Sequence, residues 1–220
     1  MKNLLNLFKK TKIKMILILT ILLFAYTTVC AISYAQNIST DIANSVFRLH
    51  VIANSDSTED QNLKYLVRDN ILNYIQEISN GITSKSEIIE IIKSHSSEIH
   101  EIATKTIEEN GYNYPVSISI GNFAFPTKKY GDITLPAGLY DAVRVEIGSA
   151  KGQNWWCVMF PPLCFVDTTS GIVPENSKKL IQDNLSQEEY NLISKDTSSV
   201  KVKFKIVELL QNFTISGIFM

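Results

Sequence analysis

Residues 15–26 (MILILTILLFAY) form an apolar run without a charge, and Lys2, Lys9, Lys10, Lys12 and Lys14 precede it. A basic segment, an apolar segment and then small residues is the order of a secretory signal. Ser33, Tyr34 and Ala35 place small residues at −3 and −1 of a cut before Gln36. Val29, Cys30 and Ala31 offer a second cut. The uncharged stretch 15–32 is also just long enough to span a bilayer as an anchor. The short apolar core ahead of Thr27 and Thr28 favours a cleaved signal. Cys30 lacks the preceding Leu and small residues of a lipoprotein site. Either way, residues 36–220 are expected outside the cytoplasm as a single domain, with 1–35 as signal peptide or membrane anchor.

Beyond a polar lead-in at 36–44, residues 46–53 (VFRLHVIA) are rich in β-formers and read as a strand. Asn54, Ser55, Asp56 and Ser57 form a turn and cap cluster, with Asp60 three residues past Ser57, a variant of the capping box. Leu63, Leu66, Val67, Ile71, Tyr74, Ile75 and Ile78 recur at helical spacing. Ser84 and Glu87 make a full capping box for a second helix. Its stripe runs Ile88, Ile91, Ile92, His95, Ile99, Ile102, Ala103 and Ile107, and Gly111 is the expected left-handed stop.

The second half changes period. Residues 116–125 (VSISIGNFAF) and 139–147 (LYDAVRVEI) alternate as strands, and 155–160 (WWCVMF) is continuously apolar, as a central strand is. Residues 148–153 supply a turn that predicts a hairpin between the last two. Residues 174–194 predict two short helices broken at Asn184, Leu185 and Ser186. Residues 200–210 (VKVKFKIVELL) predict a half-exposed strand. Helices flanked by clustered strands give an α+β class: a mostly antiparallel sheet with two long helices packed on one face.

Composition adds two points. The 220 residues are 45% hydrophobic and 20% charged, which excludes disorder and admits a real core. Net charge is −1, but all charges in the first 35 residues are basic, and setting them aside leaves 16 basic against 22 acidic residues. The body is mildly acidic, so no nucleic-acid partner is indicated. Cys157 and Cys164 are the body's cysteines. An exported pair can bridge, but Pro161 and Pro162 between them exclude a two-residue primed turn, so bridged and free thiols are both open.

No hydrolase elbow, zincin, Walker or dinucleotide motif occurs, and no cofactor, metal or small-molecule substrate is expected. His95 lies on the apolar stripe, while His100 is displaced by about 140° around the helix, so the two do not face one metal. A thiol hydrolase built from Cys157, His50 and Asp56 is the enzymatic alternative, weakened because Cys157 lies within a strand run. The densest polar cluster is Asn54, Ser55, Asp56, Asp60, Gln61, Lys64, Arg68 and Asp69, at one strand-to-helix junction. Capping and an Asp60–Lys64 ion pair explain part of it; a partner-binding surface is the other reading. Trp155 and Trp156 face opposite sides of their strand, so one can pack inward while the other serves as a contact.

The stretch Phe47-Arg48-Leu49-His50-Val51-Ile52-Ala53-Asn54-Ser55-Asp56-Ser57, with Glu59-Asp60-Gln61, Leu63-Lys64 and Val67-Arg68-Asp69, resembles the opening signature of the stage II sporulation protein R family. Asn154-Trp155-Trp156-Cys157-Val158-Met159-Phe160-Pro161-Pro162-Leu163-Cys164-Phe165-Val166-Asp167 resembles its second signature, and 202–208 is similar to its final strand. The resemblance implies a protein made in the forespore and exported to the space facing the mother cell. There it would trigger a membrane-embedded aspartic protease that processes the precursor of sigma factor E. It implies no catalytic residues. The expected partner-binding residues are His50, Asn54, Asp56, Asp60, Gln61, Lys64, Arg68, Trp155 and Trp156. The alternative remains a secreted cysteine-dependent hydrolase acting on cell wall or peptide.

Overall fold

The computed structural model describes residues 2–164 and 173–194; the strand expected at 200–210 lies outside them. The chain divides between Ile38 and Ser39 into two units. The first belongs to a helix, α1 (Lys2–Ser45). Its apolar side chains between Ile13 and Val29 are exposed, from 55% at Ile13 to 75% at Phe24. Among the described residues it is the one helix long and apolar enough to cross a membrane.

The last turns of α1, residues 39–45, open the second unit, where Ile42, Ala43 and Val46 are buried. There follow β1 (Phe47–Ile52), α2 (Thr58–Ile78), α3 (Lys85–Ser94), α4 (Ser96–Glu109), β2 (Val116–Phe125), β3 (Lys128–Tyr130), β4 (Ile133–Leu135), β5 (Gly138–Ile147), β6 (Asn154–Phe160), α5 (Glu175–Asn184) and α6 (Gln187–Ser194). The class is α+β. The main sheet has the order β2-β5-β1-β6, and β3 and β4 form a separate hairpin. Two of the three ladders, β2–β5 and β1–β6, are antiparallel; β1–β5 is parallel.

The caps act as the pattern predicts. Ser57 Oγ accepts from Asp60 N, and Ser84 Oγ accepts from Glu87 N. Gly111 takes the left-handed conformation, φ +82°. The break at residues 184–186 separates α5 from α6.

Two expectations are corrected. The second long helix is two helices, α3 and α4, joined at His95. Ser94 Oγ and the His95 ring both bond to the Ile91 carbonyl, at 2.9 Å each. Such side-chain competition for a helical acceptor favours a break. The hairpin predicted between β5 and β6 is also absent. β1 lies between them, and residues 148–153 cross over its end. That loop bonds to the chain leaving β1: Lys151 N to Asn54 O at 3.2 Å and Gly152 N to Ala53 O at 2.9 Å. A Cβ on Gly152 would run into the Ser55 carbonyl, and one on Gly148 (φ +59°) into the Asn54 amide. Glycine at both places permits the close crossing.

One face of the sheet carries the helices. Phe47, Leu49 and Val51 of β1 and Val143, Val145 and Ile147 of β5 pack with Leu63, Val67 and Ile71 of α2 and Ile99 and Ala103 of α4. On the other face Arg48 is fully buried. Its guanidinium lies 4.0 Å from the Phe125 ring centre and 4.6 Å from that of Tyr140. It donates to the Tyr130 hydroxyl at 2.6 Å. Three aromatic faces thus hold a cation that water cannot reach. Its Nη1 has no hydrogen-bond partner among the described residues.

Cys157 and Cys164 form a disulfide, Cα to Cα 5.4 Å. The prolines are accommodated because Leu163 N and Cys164 N both fold back onto Val158 O, at 3.1 and 3.2 Å. Replacing both cysteines by serine is expected to cost ~2–3 kcal/mol of unfolding free energy. The low end is favoured, since two prolines already restrict the short unfolded loop. Urea unfolding tests this. Reductant should lower the midpoint of the wild-type chain and leave that of the double variant unchanged.

Candidate functional site

Asp60 organises the junction between β1 and α2. Its Oδ2 accepts from Asn54 Nδ2 at 2.8 Å and from Ser55 Oγ at 2.5 Å. Burial pushes this carboxyl up, but hydrogen bonds from Ser55, Asn54 and Tyr114 outweigh burial and hold it below the usual carboxylate range. Asn54 in turn grips the β5–β6 loop, its Oδ1 accepting from Ser149 N at 2.9 Å and its carbonyl from Ser149 Oγ at 2.7 Å.

Gln61 donates to Ser55 O at 2.8 Å. Lys64, only 1% exposed, donates to Gln61 Oε1 at 2.6 Å and to Gln153 O at 3.2 Å. The expected Asp60–Lys64 ion pair is therefore replaced by two separate networks. The carboxylate closes the β1–α2 turn, and the ammonium ties α2 to the start of β6. Burial, then the charge of Arg68, lowers the Lys64 pKa. Asn54, Asp60, Gln61 and Lys64 thus fasten three chain segments together. Asp56 stays exposed in the loop.

Arg68 and Trp155 meet on the helix side. The guanidinium lies 4.3 Å from the Trp155 ring centre and 4.9 Å from that of Tyr65, and it pairs with Asp69 at 2.6 Å. Tyr65 meets Trp155 edge-on, with centroids 5.5 Å apart. Tyr65 and Leu66 are exposed, 36% and 45%. The sequence pattern assigned Tyr65 no role; its position four residues before Asp69 and three before Arg68 on an outward helical face is the signal that could have found it.

Trp156 and His50 meet on the opposite face. Their rings stack at 3.7 Å, and the Phe125 ring stands edge-on to Trp156 at 4.7 Å. His50 and Asn154 Oδ1 are 2.7 Å apart, which places the proton on Nε2 as donor. Both tryptophans are half-buried. The predicted contact residues therefore fall on two sides of the sheet around a structural hub, and do not make one continuous surface.

The Cys157–His50–Asp56 arrangement is not assembled. Cys157 pairs with Leu49 in the ladder and His50 with Trp156, so the two side chains leave opposite faces. The Cys157 sulfur is bonded to Cys164. His95 packs edge-on against Tyr74 at 6.1 Å, and His100 bonds to Val116 O at 3.1 Å. Among the described residues no three His, Cys, Asp or Glu side chains gather as a metal site.

Two outcomes follow for the hub and its neighbour. Asp60→Ala removes the acceptor of the Asn54 Nδ2 and Ser55 hydroxyl donors and should cost ~2 kcal/mol or more in urea unfolding. Burial, reinforced by the charges of Arg144 and Arg48, lowers the His50 pKa to about 4 against the opposing bond from Asn154. The folded state thus prefers the neutral ring. Its stabilisation is complete above the ordinary value of 6.5 and is lost as pH falls from 6.5 toward about 4. Unfolding measured across that window should show uptake of one proton, and His50→Phe should remove this component.

The chain matches known proteins from the end of α1 onward. Residues 43–170 match the family model described as stage II sporulation protein R. The stage II sporulation protein R of Bacillus subtilis (strain 168) is 42% identical over 137 residues, covering 62% of this chain and 61% of that protein. No solved structure matches. The matched region runs from the end of α1 past β6 and holds the Asp60 hub, both tryptophans and the disulfide, and on that match the chain belongs to the stage II sporulation protein R family.

Proposed function

We propose that this chain is an exported sporulation signal, made in the forespore, that activates a membrane-embedded aspartic protease facing it from the mother-cell side. That protease processes the precursor of sigma factor E and couples gene expression in the two cells. The observation that carries the reading is the family match over residues 43–170. The exposed apolar α1 behind a lysine-rich start supports passage across, or retention in, a membrane.

The chain acts by binding. A ligand shifts a receptor toward an active state only by binding that state more tightly. The surface best suited to this is Tyr65, Leu66, Arg68 and Trp155. Tyr65, Arg68 and Trp155 are of the types that dominate binding energies, and the Arg68 guanidinium is already held between two rings. Such preorganisation reduces the ordering cost on docking. The buried hub keeps α2 and β6 in register, so Asn54, Asp60, Gln61 and Lys64 contribute by position. The hydrolase alternative has no support from the position of Cys157.

Co-expression with the protease and its precursor substrate in a non-sporulating host tests the reading. Tyr65→Ala with Arg68→Glu should slow processing ~30-fold or more, the effect of losing a hot spot, with export and thermal unfolding unchanged. Unchanged processing would remove this surface. Precursor cleavage by the chain without the protease would overturn the signalling role.

A further inference from the structure

Asparagine precedes glycine at two places, Asn80-Gly81 and Asn110-Gly111. The two are close structural counterparts. Each follows a helix, α2 or α4. Each glycine is left-handed, φ +83° and +82°, with open space beside it, and all four residues are exposed. Hydrogen bonding separates them. Asn110 comes directly after α4; its Nδ2 donates to Thr106 O at 2.8 Å, and Gly111 N donates to Glu108 O at 2.9 Å. Asn80 lies one position further out, because Ser79 takes the cap of α2 and donates its N–H to Ile75 O. Among the described residues neither the Asn80 side chain nor Gly81 N has a hydrogen-bond partner.

We propose that Asn80 is a site of spontaneous deamidation in the folded protein and that Asn110 is protected from it. The reaction needs two free groups, the asparagine carboxamide and the backbone nitrogen that follows it. Once base has removed the Gly81 N–H proton, that nitrogen bonds to Asn80 Cγ. The Cγ–Nδ2 bond breaks, and Nδ2 takes up a proton and leaves as ammonia. Water then opens the cyclic imide at either carbonyl, giving aspartate or isoaspartate. Glycine in the second position has no side chain to hinder the attack. At Asn110 the same step must first break both hydrogen bonds at the end of α4, an opening that Asn80 does not require. Either product places a new negative charge two residues beyond α2, at the negative end of that helix's dipole, and so weakens the helix end. Isoaspartate also adds a backbone carbon within the turn that Ile82 N closes onto Ser79 O at 3.2 Å. The inference stands apart from the receptor reading, because it rests on the α2–α3 turn alone.

The test incubates the full chain in detergent at mildly alkaline pH, folded or in guanidinium chloride. Tandem mass spectrometry of proteolytic peptides follows the amide-to-acid mass change at each asparagine. In denaturant Asn80 and Asn110 should convert at similar rates, since the dipeptide is the same. In the folded chain Asn80 should convert at least ~10-fold faster than Asn110, the factor set by two hydrogen bonds. Isoaspartyl methyltransferase should label the aged folded chain at residue 80. Asn80→Gln should remove that label, because closure onto glutamine needs a larger ring. Equal conversion of the two sites in the folded chain, or an Asn80 that converts only in denaturant, would overturn the proposal.

Discussion

The fold depends on the complete burial of β1. All six of its residues are buried, and both of its edges are bonded, to β5 on one side and β6 on the other. A strand in that position must satisfy two faces at once. Phe47, Leu49 and Val51 enter the helix-covered core, which is ordinary hydrophobic packing. Arg48 and His50 enter the second layer, where the solution is different. Aromatic faces and single hydrogen bonds take the place of water around one permanent cation and one ring held neutral.

The Asp60 hub follows from that placement. With β1 between β5 and β6, the β5–β6 connection must cross the end of β1 where α2 begins. Backbone groups brought so close require partners. Asn54, Ser55, Asp60 and Ser149 supply them, with glycines at 148 and 152 allowing the approach. A cluster that reads in sequence as either helix capping or a binding surface is thus built around a clamp. What remains accessible around it is the flank of α2, with Tyr65 and Arg68 laid against Trp155.

Much of this was legible from residue order. Ser57 and Ser84 announced their helices, Gly111 the end of α4, and the change of period at residue 116 the strands. The α+β class follows from these. The position of β1 was not legible, because a short polar loop such as 148–153 fits a hairpin and a crossing equally well, and only the pairing demands of a distant strand decide. The break at His95 was hidden because the apolar stripe continues through it. For the site, local spacing suggested an Asp60–Lys64 pair, but the Asn54 amide and Ser55 hydroxyl took the carboxylate, and the Gln61 amide and Gln153 carbonyl took the ammonium. The disulfide was open in sequence for the same kind of reason: the fold-back of Leu163 and Cys164 onto Val158 is what brings the thiols together.

A doubly packed sheet with an aromatic–guanidinium stack at one corner suits the proposed action by contact. On the proposed function, the α2–β6 corner is the contact. Hydrogen–deuterium exchange of the full chain, alone and with the membrane-embedded protease of the proposed function, tests it most directly. Added protection should be concentrated in residues 61–69 and 153–156. An active complex that leaves those amides exchanging as in the free chain would contradict it.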